Sequence, residues 1–343
     1  MYDYAGSPPR LGDFVHGGEL NLKEFIARSF AELRGGNRRF FNIDEGAGIF
    51  KASYYCGTRL SKGFTFQNTI RVDADFYVLM GLLQADAVKS NAKYFCFTSK
   101  APDNIAFVAR QLKKYAPSGK LIFEIAMPVG TEKKADEIKR YWAEQLSLLP
   151  ENLRAYLKRS NHISDKSDNG VMNLRVDNKA FSQVFLRLLE TTKAELLRGS
   201  FLAGYFISGV LAGDGFVGKS KKGGSLNYVA ICFDASKVLK PSADELSAYI
   251  AGLDAMGIKR SDLAIYLNAN SRIGEIAEKI RRYGIRVKVH STREHNFGAT
   301  LMIFKYRNFL NLAKFNAFLP NAANYYNFKT SLSAIDPRRA EKN

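Results

Sequence analysis

The stretch that decides the reading is Ile207-Ser208-Gly209-Val210-Leu211-Ala212-Gly213-Asp214-Gly215. It has a counterpart in Leu79-Met80-Gly81-Leu82-Leu83-Gln84-Ala85-Asp86-Ala87, whose aspartate lies 128 residues earlier. Both are apolar, both carry small residues four apart, both end on one aspartate, and each is preceded at the same offset by a tyrosine, Tyr205 or Tyr77. Residues four apart share a helix face. Gly81 and Ala85, and Gly209 and Gly213, would therefore let two helix backbones approach closely, as small-xxx-small interfaces do. Such packing would bring Asp86 and Asp214 together near two helix C-termini, where the last carbonyls add negative potential. Two carboxylates so placed call for cations. Hard divalent ions such as Mg²⁺ take carboxylate and carbonyl oxygens.

The similarity extends downstream. Ala135-Asp136-Glu137-Ile138-Lys139-Arg140-Tyr141 matches Ala277-Glu278-Lys279-Ile280-Arg281-Arg282-Tyr283. Each half reads as motif helix, strand (92–99; 226–233), helix (103–115; 242–256), strand (120–127; 262–267) and helix (131–147; 271–283). Two more strands follow (153–158 and 171–176; 285–290 and 299–304), then a helix from about Lys179 or Asn308. This order predicts an α+β fold rather than a doubly wound parallel sheet. The expected organisation is an extension over 1–70, repeats over 71–198 and 199–320, and a tail over 321–343. Lys179 and Arg307 each lie 93 residues beyond their motif aspartate, where a strand meets the next helix.

Charge narrows the partners. Fifty-one Lys and Arg against 33 Asp and Glu give a net charge of +18 over 343 residues, which favours a polyanion. The apolar runs 76–83 and 201–212 are too short to cross a bilayer. Cys56, Cys96 and Cys232 form no CxxC pair, and the four histidines show no metal-ligand spacing. No charged-then-apolar leader opens the chain, so an intracellular protein, cytoplasmic or organellar, is expected rather than a secreted one.

These residues resemble the LAGLIDADG homing endonucleases in their single-chain, two-repeat form, over about residues 70 to 320. The second motif matches well. In the first, Ala87 replaces the final glycine, and the inner acid is Gln84 in one copy and Ala212 in the other. The resemblance implies a pseudo-two-fold α/β monomer in which the motif helices form the domain interface and two antiparallel sheets make a saddle over duplex DNA. It also implies Mg²⁺ (or Mn²⁺, or Ca²⁺ in a non-cleaving complex) held by Asp86 and Asp214 with the carbonyls of Ala85 and Gly213. Lys179 and Arg307, with Lys305 as a competitor, stand where such proteins keep a basic active-site residue. DNA contacts would come from Lys89, Asn91, Lys93, Tyr94, Lys100, Arg154, Lys158 and Arg175 in the first half. In the second they would come from Lys219, Lys221, Lys222, Asn227, Arg286 and Lys288.

The leading expectation is a site-specific, metal-dependent double-strand DNA endonuclease, intron-encoded or free-standing. The alternative is a non-cleaving nucleic-acid binder on the same scaffold: a splicing maturase acting on intron RNA, or a transcription regulator. A basic metabolic enzyme is the third reading, and it finds no Walker loop, no GxGxxG and no nucleophile triad in its support.

Overall fold

A computed structural model of the protein describes residues 10–30, 40–56, 59–60, 62–87, 94–158, 169–220, 224–239, 245–269, 271–290 and 298–335. The fold is mixed α+β. It divides into two compact units, one of Met1–Leu79 with Asp86–Thr191 and the other of Met80–Ala85 with Thr192–Asn343. Residues Met80–Ala85 of the first motif helix therefore group with the second unit, and its final residue, Asp86, with the first.

In the first unit a four-stranded sheet has the order Leu153–Lys158, Ile122–Pro128, Val171–Val176, Phe95–Ser99. In the second unit a five-stranded sheet has the order Arg286–His290, Leu263–Asn268, Gly298–Ile303, Leu226–Asp234, Gly215–Lys219. The four strands common to both units follow one plan. Helices Pro102–Tyr115 and Glu245–Ala255 lie between the first and second of these strands in chain order. Helices Ala135–Leu146 and Ile273–Arg281 lie between the second and third.

The registers also correspond. A row across the first sheet reads Ala87, Phe97, Leu174, Phe123, Leu153. The matching row of the second reads Gly215, Ile231, Leu301, Ile265, Val287. In both rows the central strand residues are mostly buried, because one sheet face is covered by helices. The alternation of a half-buried strand then sends the neighbouring rows to the other face.

One expectation about the sheets needs correction: neither is wholly antiparallel. Ile122–Pro128 pairs parallel with Leu153–Lys158, and Leu263–Asn268 pairs parallel with Arg286–His290. The cause is the connecting helix in each case, since a strand–helix–strand crossover returns the chain in its original direction.

The amino-terminal stretch expected to lie outside the repeats packs onto the first. The Phe64 ring is 4.8 Å from Phe181, and Asn178 Nδ2 donates to the Lys62 carbonyl at 2.9 Å. Phe66, Phe95 and Phe185 complete this aromatic core. The chain beyond Pro320 forms a helix, Ala322–Ser333, packed on strands Gly215–Lys219 and Leu226–Asp234.

Candidate functional site

The two motif helices run Ala74–Asp86 and Ala203–Asp214. Both are apolar around most of their circumference, and a helix of that composition is stable only when enclosed. Leu79, Met80, Leu82 and Leu83 are buried in the first, and Phe206, Ile207, Val210 and Leu211 in the second. Asp73 caps the first by accepting from the Phe76 amide at 3.1 Å.

The expected close approach occurs at Gly81. A Cβ there would fall on the Phe206 carbonyl oxygen, 2.9 Å from Val210 N and 3.0 Å from Gly209 Cα. Gly81 and Gly209 are thus brought together backbone to backbone. Ala85 and Gly213 lie half-buried in the last turns. The second helix is tied down further by Ser208, whose hydroxyl donates to the Phe315 carbonyl at 2.8 Å.

Each motif aspartate is the last helical residue and is half-buried. The next residue enters the sheet at the same register position in both units, Ala87 opposite Phe97 and Gly215 opposite Ile231. Gly215 is required by crowding, since a Cβ would meet Leu211 Cα at 2.6 Å. Asp214 lies within electrostatic reach of Cys232. Burial raises that thiol's pKa, a hydrogen bond with Thr300 opposes the rise, and the Asp214 charge adds to it.

The donors at each motif end, a carboxylate and the carbonyl before it, are all oxygen, which fits a hard divalent cation and not a soft one. Among the described residues no group of three or more His, Cys, Asp and Glu side chains gathers as a metal cluster. Each motif end, taken by itself, offers one carboxylate and one carbonyl: Asp86 with Ala85, and Asp214 with Gly213.

The junction residues fare differently. Sheet register makes Leu174 and Leu301 equivalent, 127 residues apart, so Lys179 corresponds to Tyr306, the first residue of helix Tyr306–Lys314. The matching offset of 93 residues was misleading by one, because insertions between the landmarks nearly cancel. Arg307 is instead bonded to Asp262, Nη2 to Oδ2 at 2.6 Å. Burial works to raise the Asp262 pKa, but hydrogen bonds from Arg307 and Asn308 and the Lys305 charge outweigh it and hold the carboxyl below its ordinary value.

Each junction follows a strand that extends past the row entered after its own aspartate. Ala87 enters the row of Leu174 and Gly215 that of Leu301, whereas Lys179, Lys305 and Arg307 follow strands that continue past those rows to Val176 and Ile303. Two residues of strand separate each row from its strand end, about 7 Å. Lys305 takes the helix-capping position with φ +78°. Its equivalent Asn178 caps with its side chain, accepting from Phe181 N at 3.1 Å.

The next row, on the opposite side of each sheet, holds mostly polar residues. In the first it reads Thr98, Asn173, Glu124, Arg154, and in the second Cys232, Thr300, Tyr266, Lys288. Thr98 donates to Asn173 Oδ1 at 2.8 Å, and Asn173 Nδ2 donates to the Tyr156 hydroxyl at 3.1 Å. Arg175 bonds Glu124 at 3.1 Å and lies 4.9 Å over the Tyr94 ring. Lys288 lies 5.4 Å over Tyr266. Tyr94, Arg154, Lys158 and Arg175 share a strand parity with this row, as do Arg286 and Lys288. Lys100, Lys219 and Asn227 are exposed at strand ends. Lys89, Asn91, Lys93, Lys221 and Lys222 lie outside the described residues.

Sequence reasoning missed a buried cluster in the second unit. Gln84 Nε2 donates to Glu245 Oε1 at 2.6 Å, and the Tyr249 hydroxyl donates to the same oxygen at 2.7 Å. Glu245 Oε2 lies 3.1 Å from Lys237 Nζ. Burial, then the charge and hydrogen bond of Glu245, and then the Asp214 charge push the Tyr249 pKa well above its ordinary value. The one available signal was Gln84 itself, a polar residue directly after the apolar run 76–83. Its partner lies 161 residues away. No helix among the described residues is long and apolar enough to cross a membrane. No family model matches the chain, and no curated protein matches it.

Proposed function

We propose that this chain is a site-specific, divalent-metal-dependent DNA endonuclease built on a duplicated LAGLIDADG-type scaffold. The observation that carries the reading is the repeated placement of the motif aspartate. In each unit it ends a buried helix, one residue before the chain enters the sheet at an equivalent register position. A carboxylate at the same point of both units, in a chain of net charge +18, is what a metal site facing a polyanion needs.

Asp86 with the Ala85 carbonyl, and Asp214 with the Gly213 carbonyl, would hold the cation. When bound, it would neutralise phosphate charge and lower the pKa of water. The chain's own contribution is to fix these oxygens at rigid helix ends and to offer Arg154, Lys158, Arg175, Arg286 and Lys288 to the phosphate backbone and base edges. Arg307 is left out of the active site, because its guanidinium serves Asp262.

One observation favours a second reading, a non-cleaving nucleic-acid binder acting on DNA or intron RNA. In the first motif Ala87 stands where the family pattern has its last glycine, and that departure is what favours the binder. Cleavage of a randomised duplex library with Mg²⁺, comparing wild type with Asp86→Asn and Asp214→Asn, decides between the two. Specific double-strand cuts that vanish in both variants support the endonuclease. Salt-sensitive binding of duplex or RNA without cuts supports the binder.

A further inference from the structure

We propose that Gln84 and Glu245 form a rotation lock that positions Asp86, with Glu245 as a positioning residue for the metal ligand. This rests on the metal-dependent reading above. Gln84 is 1% exposed and Glu245 5% exposed, and their 2.6 Å hydrogen bond lies inside the second unit. The Glu245 carboxylate is costly to bury, yet it is met by the Gln84 amide and the Tyr249 hydroxyl on one oxygen and by Lys237 on the other. Apolar packing would usually stabilise such a site as well or better, so a retained buried charge points to specificity of geometry.

The geometry identifies what is specified. A helix turns by roughly 100° per residue, so Gln84 and Asp86 point roughly 200° apart around one axis. Fixing the direction of Gln84 therefore fixes that of Asp86. The lock adds one directional polar contact to the close backbone packing at Gly81. An acid at position 84 would set a second carboxylate against Glu245, so this site calls for an amide.

The second motif helix has no equivalent lock. Ala212 stands at the corresponding position, and its carbonyl accepts from Asn321 Nδ2 at 3.1 Å. The lock belongs to the first helix, through its segment Met80–Ala85, which groups with Glu245 in the second unit.

The test uses Gln84→Leu, which removes the lock while leaving Glu245 its contacts with Tyr249 and Lys237, and Glu245→Gln, which keeps an acceptor for Gln84. Amide hydrogen exchange over residues 80–87 is followed in the metal-free full chain, and Ca²⁺ binding is followed by calorimetry, with Asp86→Asn as control. Gln84→Leu is expected to speed exchange in this segment and to weaken Ca²⁺ about tenfold, as loss of an outer-shell partner does. Glu245→Gln is expected to stay within about twofold of wild type on the same scale. Unchanged exchange and Ca²⁺ affinity in Gln84→Leu would overturn the lock. If Gln84→Leu does not fold, Glu245→Gln decides: a tenfold loss there would count against a lock that needs only an acceptor. Ca²⁺ uptake indifferent to Asp86→Asn, with exchange still accelerated by Gln84→Leu, would overturn the metal-positioning role and place the failure in the metal reading.

Discussion

The Asn321 side chain joins two helix ends at once. Its Nδ2 donates to the Ala212 carbonyl at 3.1 Å, and its Oδ1 accepts from the Asn324 amide at 3.2 Å. The first bond reaches a carbonyl in the last turn of the second motif helix. The second caps helix Ala322–Ser333. Asn321 is 8% exposed, so water is a poor substitute. Asn321→Ala should cost about 1–3 kcal/mol. Asn321→Asp keeps the cap but turns a carboxylate oxygen toward a carbonyl, so it should recover little. Urea denaturation of the three proteins checks this, and equal stabilities would show the double bond to be incidental.

Glycine positions separate crowding from propensity. A Cβ at Gly81 meets the backbone of Phe206, Val210 and Gly209, none of which can rotate away, whereas one at Gly274 meets nothing within 4 Å. Gly81→Ala should destabilise by at least about 1–3 kcal/mol, the range for overpacking. Gly274→Ala, in helix Ile273–Arg281, should stabilise by about 0.5 kcal/mol. Thermal melts of both variants test the helix contact, and a neutral Gly81→Ala would refute it.

How much of this was legible beforehand depends on range. The motif helices, the strands 153–158 and 171–176 and the helix from Lys179 could be read because periodicity and turn residues are local signals. The parallel pairs could not, since strand direction is set by which strands meet and not by their composition. The Gln84–Glu245 bond was invisible for the same reason: nothing in a helix N-terminal glutamate names a partner 161 residues away. The equivalence of Lys179 and Arg307 failed because counting residues cannot see compensating insertions, while hydrogen-bond register can. Sequence gave no hint that Arg307 is committed to Asp262, because an exposed arginine at a strand–helix junction serves catalysis and capping equally well.

That ion pair has a pH signature. The Asp262 carboxyl titrates below its ordinary value of 3.8 in the folded protein. A depressed carboxylate contributes stability that is fully present above its unfolded value and is lost as pH falls through the folded value. Arg307→Gln should therefore destabilise the protein near neutrality, and the gap from wild type should close as pH drops below 3.8. Denaturation midpoints of the two proteins across the acid range read this directly, and a gap independent of pH would mean that packing, not charge, is what Arg307 supplies.

Arg154 and Lys288 occupy the same register position on the two sheets, opposite Glu124 and Tyr266 respectively. Both belong to edge strands, and the Arg154 side chain is 70% exposed, with its carboxylate contact stretched to 4.0 Å. So weak and solvated a pair leaves the guanidinium available to a phosphate. If these sheet faces carry nucleic acid, each residue neutralises about one phosphate, and each contributes about 0.9 to the slope of log affinity against log salt. Arg154→Gln and Lys288→Gln should each lower that slope by this amount, and the double variant by their sum. Fluorescence anisotropy on a mixed-sequence duplex between about 50 and 200 mM salt measures it. A loss in both variants would show that both repeats contact the duplex. A loss in only one would confine binding to that repeat, and unchanged slopes in both would move the contacts elsewhere on this basic surface.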